Sequence, residues 1–444
     1  MKSIFTIPDL ELNQESSVDP LGMQVVWTKY GQDIFGEKIN TIANDLRVLT
    51  FNLFHSQVLR KIFESHANEL NEAKSKFKKF QSDFDVKAGL LILMEDLVTH
   101  IFYQNKRADA ELLGVLGMTK ARSLYNSKSQ EEIFVSAEKS KGILVRQINL
   151  GMMGRYKGAM MSMGFFDRSF SFNPSTWENI DSIQLLQEFQ ELESVLIDFI
   201  VQFVLKVKSS EEPTISLHTL QESPFWDKLS SHYIKSFSTR KLSIKLQDFW
   251  KDSLGFNSGA AAAIFSIVSE LQPNQEINHK TIFESAALRL VNEPSEEQKI
   301  HTILKVEPVL SHLSFIFRYI AQPSVTVLNE ECMTLIREIR QLIRNEINLS
   351  EVDVHPRLQK LVGILHENMD EKTFIFKLLN YHKDVMNSRG GTSWLDILED
   401  LNIRHFFAPN LPDSYNTLEK YLVKKPWRHT YYVETLLSMK QSLN

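Results

Sequence analysis

The sequence predicts an all-α protein, with two or three packed helical bundles or arrays behind a short extended N-terminal arm. Only 16 glycines and 13 prolines occur in 444 residues. That is roughly half the usual share, and a chain so poor in turn residues favours long helices over many short strands. Apolar residues recur at steps of three and four through most of the chain, the period that gives a helix one buried stripe. Hydrophobic residues make up 43% and charged residues 24%, ordinary globular values that fit neither wholesale disorder nor a membrane protein.

From the N-terminus, residues 1–18 place Ile4, Ile7, Leu10 and Leu12 around Pro8, a pattern suited to an extended arm that docks on the body or on a partner. Asp19 and Pro20 read as an N-cap followed by proline at the first helical position, launching a helix to Phe35. A longer helix is expected over about 39–80, with Ile39, Leu46, Leu49, Leu53, Val58 and Ile62 on its buried stripe and a charged tail from Glu69 to Lys79. Helices are then expected near 84–103, 108–126 and 130–150, a loop at 151–164, and a strong helix from Pro174 to Lys206.

Residues 209–224 are polar and carry two prolines, so they are expected to link an N-terminal helical domain (19–208) to a C-terminal one (225–444). In the second half, helices are expected near 225–236, 241–253, 258–271, 278–291, 297–305 and 308–321, and from Met333 to Glu346. Pro356, Gly390, Gly391, Pro409 and Pro412 punctuate the last hundred residues, where NSRGGTSW and FFAPNLPDSYN read as loops. No repeat of fixed period is visible, which argues against a regular solenoid.

Cys332 is the single cysteine, so neither an internal disulfide nor a cysteine-built zinc site can form within one chain, and a reducing compartment is expected. Residues 1–20 lack a signal-peptide apolar run, and no uncharged apolar stretch of about 18 residues occurs after them. A cytoplasmic protein without membrane contact is therefore expected. The net charge of −5 gives no global pull toward nucleic acid, so any such contact must be regional.

Candidate chemistry is sparse. Asp96 and His100 stand four apart on one helix face, a spacing that suits a shared metal or an ordinary hydrogen-bonded pair. Asp83, Asp85 and Lys87 superficially match the acid and acid-x-Lys pattern of restriction-type nucleases, but Ser82 or Asp83 reads better as a helix N-cap. Arg60 to His66, RKIFESH, resembles the Arg-to-His spacing of HEPN ribonucleases over seven residues, with Lys61 where that family usually has a polar Asn, Asp or His. The resemblance implies that Arg60 would stabilise a phosphorane and His66 would move a proton.

The segment GMMGRYKGAMMSMGFFDR (151–168) is the least ordinary stretch. Gly151, Gly154 and Gly158 permit close backbone approach, Arg155 and Lys157 can place charge beside a phosphate, and Met160 and Met163 suit either packing or an adaptable contact. Its GxxG step resembles the KH clamp, a module that needs accompanying strands. Basic runs at 74–79, 235–245 and 424–429 carry Phe77, Phe237 and Trp427, which could stack on bases, although charged solvated faces are the commoner meaning of such runs. Residues 258–291 allow a helix-turn-helix with few basic side chains and a long turn.

No cofactor fingerprint, metal cage or nucleophile-base arrangement stands out, so no cofactor, metal or small-molecule substrate is expected. The expected function is a non-catalytic helical interaction or scaffold subunit of an intracellular multiprotein assembly. Partner proteins would be met by the arm and by the 151–164 segment. The Lys- and Phe-rich style suits a bacterial accessory protein, and a DNA-acting or anti-phage defence system is one such setting. The alternatives are a HEPN-like ribonuclease using Arg60 and His66, and a direct nucleic-acid binder.

Overall fold

In the computed structural model, residues 19–41, 44–105, 132–136, 138, 143, 151–208, 211–239, 241–272, 275–346, 349, 352–398, 401–407 and 427–443 are described. The chain is 67% helical, with 17 helices and two small two-stranded sheets among the described residues, so the fold is all-α as expected. The arm at 1–18 and the helix expected at 108–126 lie outside the described residues. Contacts divide the chain into two units that alternate along it: Phe35–Ser258 with Tyr432–Asn444, and Met1–Ile34 with Gly259–Tyr431. This division differs from the expected cut at 209–224.

Helix α1 (Gln24–Phe35) starts after a turn that holds Pro20. The Asp19 carboxylate accepts from the N–H groups of Met23 and Gln24 at 2.7 and 3.0 Å, so it serves the helix start from four and five residues away, and Pro20 lies in the preceding turn instead of at the expected first helical position.

The unit containing residues 35–258 is organised on α2 (Leu46–Ser65). Asp45 caps this helix through Arg47 N at 2.9 Å, and burial on nearly every side makes it a core helix. The continuous helix expected over 39–80 is interrupted at His66, after which α3 (Ala67–Lys76) begins. Helix α4 (Asp83–Gln104) opens on a complete capping box, with Ser82 and Asp85 each bonding the other's backbone N–H. At 132–134, inside the helix expected over 130–150, the chain forms strand β1 (Glu132–Phe134).

A π-helical turn at Met152–Tyr156 leads into α5 (Lys157–Ser162). Helix α6 (Pro174–Ser182) is followed by a turn, a 3₁₀ step at Gln187–Phe189, α7 (Gln190–Asp198) and a π-helical end to Val204. The expected linker contains β2 (Thr214–Ser216), which pairs antiparallel with β1, and α8 (Leu217–Gln221). Helices α9 (Pro224–Phe237) and α10 (Ile244–Ser253) follow, and the C-terminal helix Val433–Leu443 belongs to the same unit.

α2, α4, α7 and α9 pack together around Phe51, Phe54, Phe189 and Phe237. The ring centroids of Phe51 and Phe189 lie 4.1 and 4.8 Å from that of Phe237. Trp250 of α10 donates to Thr50 Oγ1 at 2.9 Å, tying that helix to α2.

The other unit contains α11 (Gly259–Glu270), α12 (His279–Arg289) and α13 (Pro294–Ile320), packed on one another. The two helices expected at 297–305 and 308–321 form one, with Pro308 inside it. Gly259 has a φ of +64°, and a Cβ there would meet Glu296 Oε2 at 2.7 Å. That carboxylate caps α11 by accepting from Ala260 N at 3.0 Å. Glycine answers both demands.

Helices α14 (Glu330–Glu346), α15 (Pro356–His366) and α16 (Glu371–Ser388) come next, then the hairpin β3 (Leu395–Ile397) and β4 (Ile403–His405). Buried His382 donates from Nδ1 to the Pro20 carbonyl at 2.8 Å and accepts at Nε2 from Trp394 N at 2.9 Å. Both ring nitrogens are committed, so this site requires the neutral imidazole.

Candidate functional site

The 151–164 segment is a helix instead of the expected loop, and Glu95 explains why. Its carboxylate accepts from Met152 N at 2.6 Å, serving the first donor of the helical segment. A Cβ on Gly151 would lie 2.2 Å from Glu95 Oε2, so this glycine admits the carboxylate and does not mark a loop. Gly154 and Gly158 fall in helical turns and face solvent.

Arg155 is half-buried, and its carbonyl accepts from Asn40 Nδ2 at 3.2 Å. Lys157 donates to the Arg168 carbonyl at 2.6 Å, with its ammonium 5.5 Å from the Phe84 ring. Met160 is fully buried and Met163 partly so.

The nuclease-like acids at Asp83 and Asp85 are the start of α4. Lys87 is buried, donates to the Phe170 carbonyl at 2.9 Å and lies 4.9 Å from each of the Phe63 and Phe172 rings. Burial pushes its pKa down. Asp96 and His100 are both buried, and burial lowers the His100 pKa to about 4. Among the described residues no group of three His, Cys, Asp or Glu could hold a metal ion.

Arg60 and His66 engage separate partners. Arg60 grips Asp181 through two bonds of 2.8 and 2.7 Å, bonds Glu64 at 3.0 Å and Gln57 at 3.0 Å, and stands over the Trp177 ring at 5.4 Å. His66 lies beyond the end of α2 and contacts Glu69 at 3.6 Å.

Arg60 nevertheless borders a concave site. A cleft of about 320 Å³ opens between Gln57 and Lys61 of α2 and the interrupted stretch from Ile180 to Glu193. The break in the expected 174–206 helix builds this wall. Gln184 adopts a φ of +49°, a left-handed conformation that costs a non-glycine residue and tends to persist where the surroundings demand it. Lys245 supplies one such demand by donating to the carbonyls of Ile183 and Gln184 at 3.0 and 3.4 Å. Leu185 and Leu186 are turned inward and buried.

The cleft presents glutamine amides, an apolar floor and two carboxylates, Asp181 and Glu193. Glu193 is nine-tenths buried at its side chain, and Lys61 pairs with its Oε1. The helical periodicity continues through 183–189, so it gave no sign of the break; the acid-rich composition of the stretch was the available signal.

A second constellation was missed entirely. Glu307 of α13 is fully buried. It accepts from Ser311 Oγ at 2.6 Å, Arg428 N at 2.7 Å, His429 N at 3.0 Å, His429 Nδ1 at 2.9 Å and Tyr431 Oη at 2.8 Å. Burial alone would raise its pKa, but the imidazole charge and these hydrogen bonds outweigh that and hold the carboxyl below its ordinary range. Trp427 stacks on Phe283 at 5.4 Å and His429 stacks on Trp27 at 6.0 Å. Part of the expected basic run at 424–429 is thus an anchored strap on α13.

No family model, curated protein or solved structure matches this chain.

Proposed function

We propose that the chain is a non-catalytic helical subunit that acts by docking a protein partner. One observation carries this reading: the β3–β4 hairpin and its flank expose large apolar side chains, with Phe406 60% exposed and Phe407, Leu398 and Val327 more than a third exposed. Exposed apolar side chains grouped along one element are a mark of protein contact surfaces.

Direct nucleic-acid binding finds less support. Phe77 and Phe237 are buried, so neither presents a face to a base, and Trp427 already has one face stacked on Phe283. Lys74, Lys78, Lys79 and Lys235 are ion-paired with Asp83, Glu211, Glu138 and Glu191. The ribonuclease reading is weakened by the separate engagements of Arg60 and His66.

The test is purification of the tagged chain from its native cells, as wild type and as a Phe406→Ser, Leu398→Ser variant. The variant should lose a stoichiometric partner while its melting temperature stays within about 2 °C, since exposed positions contribute little to folding. Undiminished partner recovery would refute the docking face. RNA cleavage by the purified chain that disappears with Arg60→Ala would restore the enzyme reading.

A further inference from the structure

We infer that His382 is an acid-sensitive latch on the β3–β4 hairpin: when its imidazole takes up a proton, Trp394 and the Phe406–Phe407 end of the hairpin come off the body of their unit. The consequence for a partner, loss of the docking face in acid, rests on the docking reading above. The latch itself needs only this chain's own contacts.

Two backbone groups from distant segments meet on this one ring. His382, on α16, is fully buried. Its Nδ1–H is spent on the Pro20 carbonyl at 2.8 Å, and the lone pair of Nε2 on the Trp394 N–H at 2.9 Å. A proton on Nε2 turns that acceptor into a donor, so an imidazolium faces the Trp394 N–H donor to donor. The bond is lost, and the ring and Trp394 must separate.

Trp394 carries this event to the surface. Its carbonyl accepts from Phe406 N at 2.7 Å and Phe407 N at 3.0 Å, and its ring lies 4.8 Å from that of Phe407. Both phenylalanines belong to the exposed apolar group on the hairpin. The middle of β4 is held from elsewhere, with Ile403 N on the Thr326 carbonyl at 2.8 Å and Leu328 N on the Leu401 carbonyl at 3.1 Å. Unseating Trp394 therefore frays the Phe406 end while the rest of β4 stays in place.

The surroundings set the direction of the response. Arg389 of α16 pairs with Asp19 of the Pro20 turn, and Lys383 of α16 with Asp396 of β3, so neither pair leaves a net charge. Helix α13 presents the Phe317 ring, 4.5 Å away. On β4 the titratable group is His405, whose Nε2 meets the Val325 carbonyl at 3.0 Å. Burial therefore decides, and it lowers the pKa of His382 to about 4. An unseated ring returns to the ordinary value near 6.5, so the unseated state gains about twentyfold on the seated one between pH 7 and pH 5.

The experiment is residue-resolved amide hydrogen exchange on the full chain at pH 7 and pH 5, corrected for the intrinsic pH dependence of exchange. The amides of Trp394, Phe406 and Phe407 should lose about twentyfold in protection, while those of Ile403 and Leu328 keep theirs. His382→Gln should abolish the difference and His405→Gln should leave it. Unchanged protection at the three amides overturns the latch. So does an equal loss at Ile403 and Leu328, or a loss that survives His382→Gln. If His382→Gln does not fold, the ring nitrogen shifts of wild-type His382 decide: a neutral Nδ1–H ring is expected at pH 6, and an imidazolium there with Trp394 still protected overturns the latch. None of these readouts involves a partner, so the latch and the docking face fail separately.

Discussion

Replacing Glu307 tests whether one buried carboxylate holds the 427–431 strap on α13. Glu307→Leu leaves five donors facing an apolar group: the Ser311 and Tyr431 hydroxyls, the Arg428 and His429 amides, and the His429 imidazole. Losing one member of a buried ionic arrangement costs about 3–5 kcal/mol, because the stranded groups keep their desolvation cost.

Glu307→Gln preserves shape but gives up the charge and one acceptor oxygen. Charge-assisted bonds worth about 1.5–3 kcal/mol then fall toward the neutral value of about 1, so a loss of about 2–3 kcal/mol is expected. Tyr431→Phe removes one donor and should cost about 1.5 kcal/mol. The ordering Leu, then Gln, then Tyr431→Phe is read from urea midpoints at constant slope. Trypsin provides a second readout, because detachment of the strap should open the bond after Arg428. A Glu307→Leu protein as stable as wild type and equally resistant after Arg428 would refute the reasoning.

Acid should destabilise the protein well before its carboxylates titrate. Burial lowers the pKa of His55 to about 3, and of His100 and His382 to about 4, so below about pH 6.5 the unfolded chain takes up protons that the folded chain refuses. At pH 5 each of the three should cost about 2 kcal/mol relative to pH 7, and His382→Gln should flatten the fall in melting temperature between pH 7 and 5; no change in that slope would show that His382 is not neutral when folded. At 151–164, Met160→Ala should cost about 2–5 kcal/mol as a buried truncation, and Met163→Ala distinctly less because its side chain is partly exposed. Equal melting temperatures for the two variants would contradict the burial difference.

Sequence alone determined the helical class and several helix starts, because periodicity and capping act within one or two turns. The Ser82–Asp85 capping box depends on residues three apart and needs nothing from the rest of the chain, whereas the Asp19 carboxylate that serves Met23 and Gln24 is also held by Arg389, 370 positions away. Tertiary contacts decided where the pattern was interrupted. The 174–206 stretch keeps its helical spacing through 183–189, yet Lys245, some sixty residues on, bonds the carbonyls of Ile183 and Gln184 where the helix breaks. In the same way β1 finds its partner at 214–216, inside a stretch that reads as polar linker.

Residues 151–164 read as a loop because their glycines look like punctuation. Only the position of Glu95, in α4 and 57 residues from the Met152 amide that it caps, shows that Gly151 is there to admit a carboxylate. Glu307 and His429 are 122 positions apart, and no local rule joins them. What a residue's nearest few neighbours can enforce was legible in the sequence. The cleft, the strap and the helix breaks depend on charges and carbonyls brought together from distant positions, and only the folded chain sets those distances.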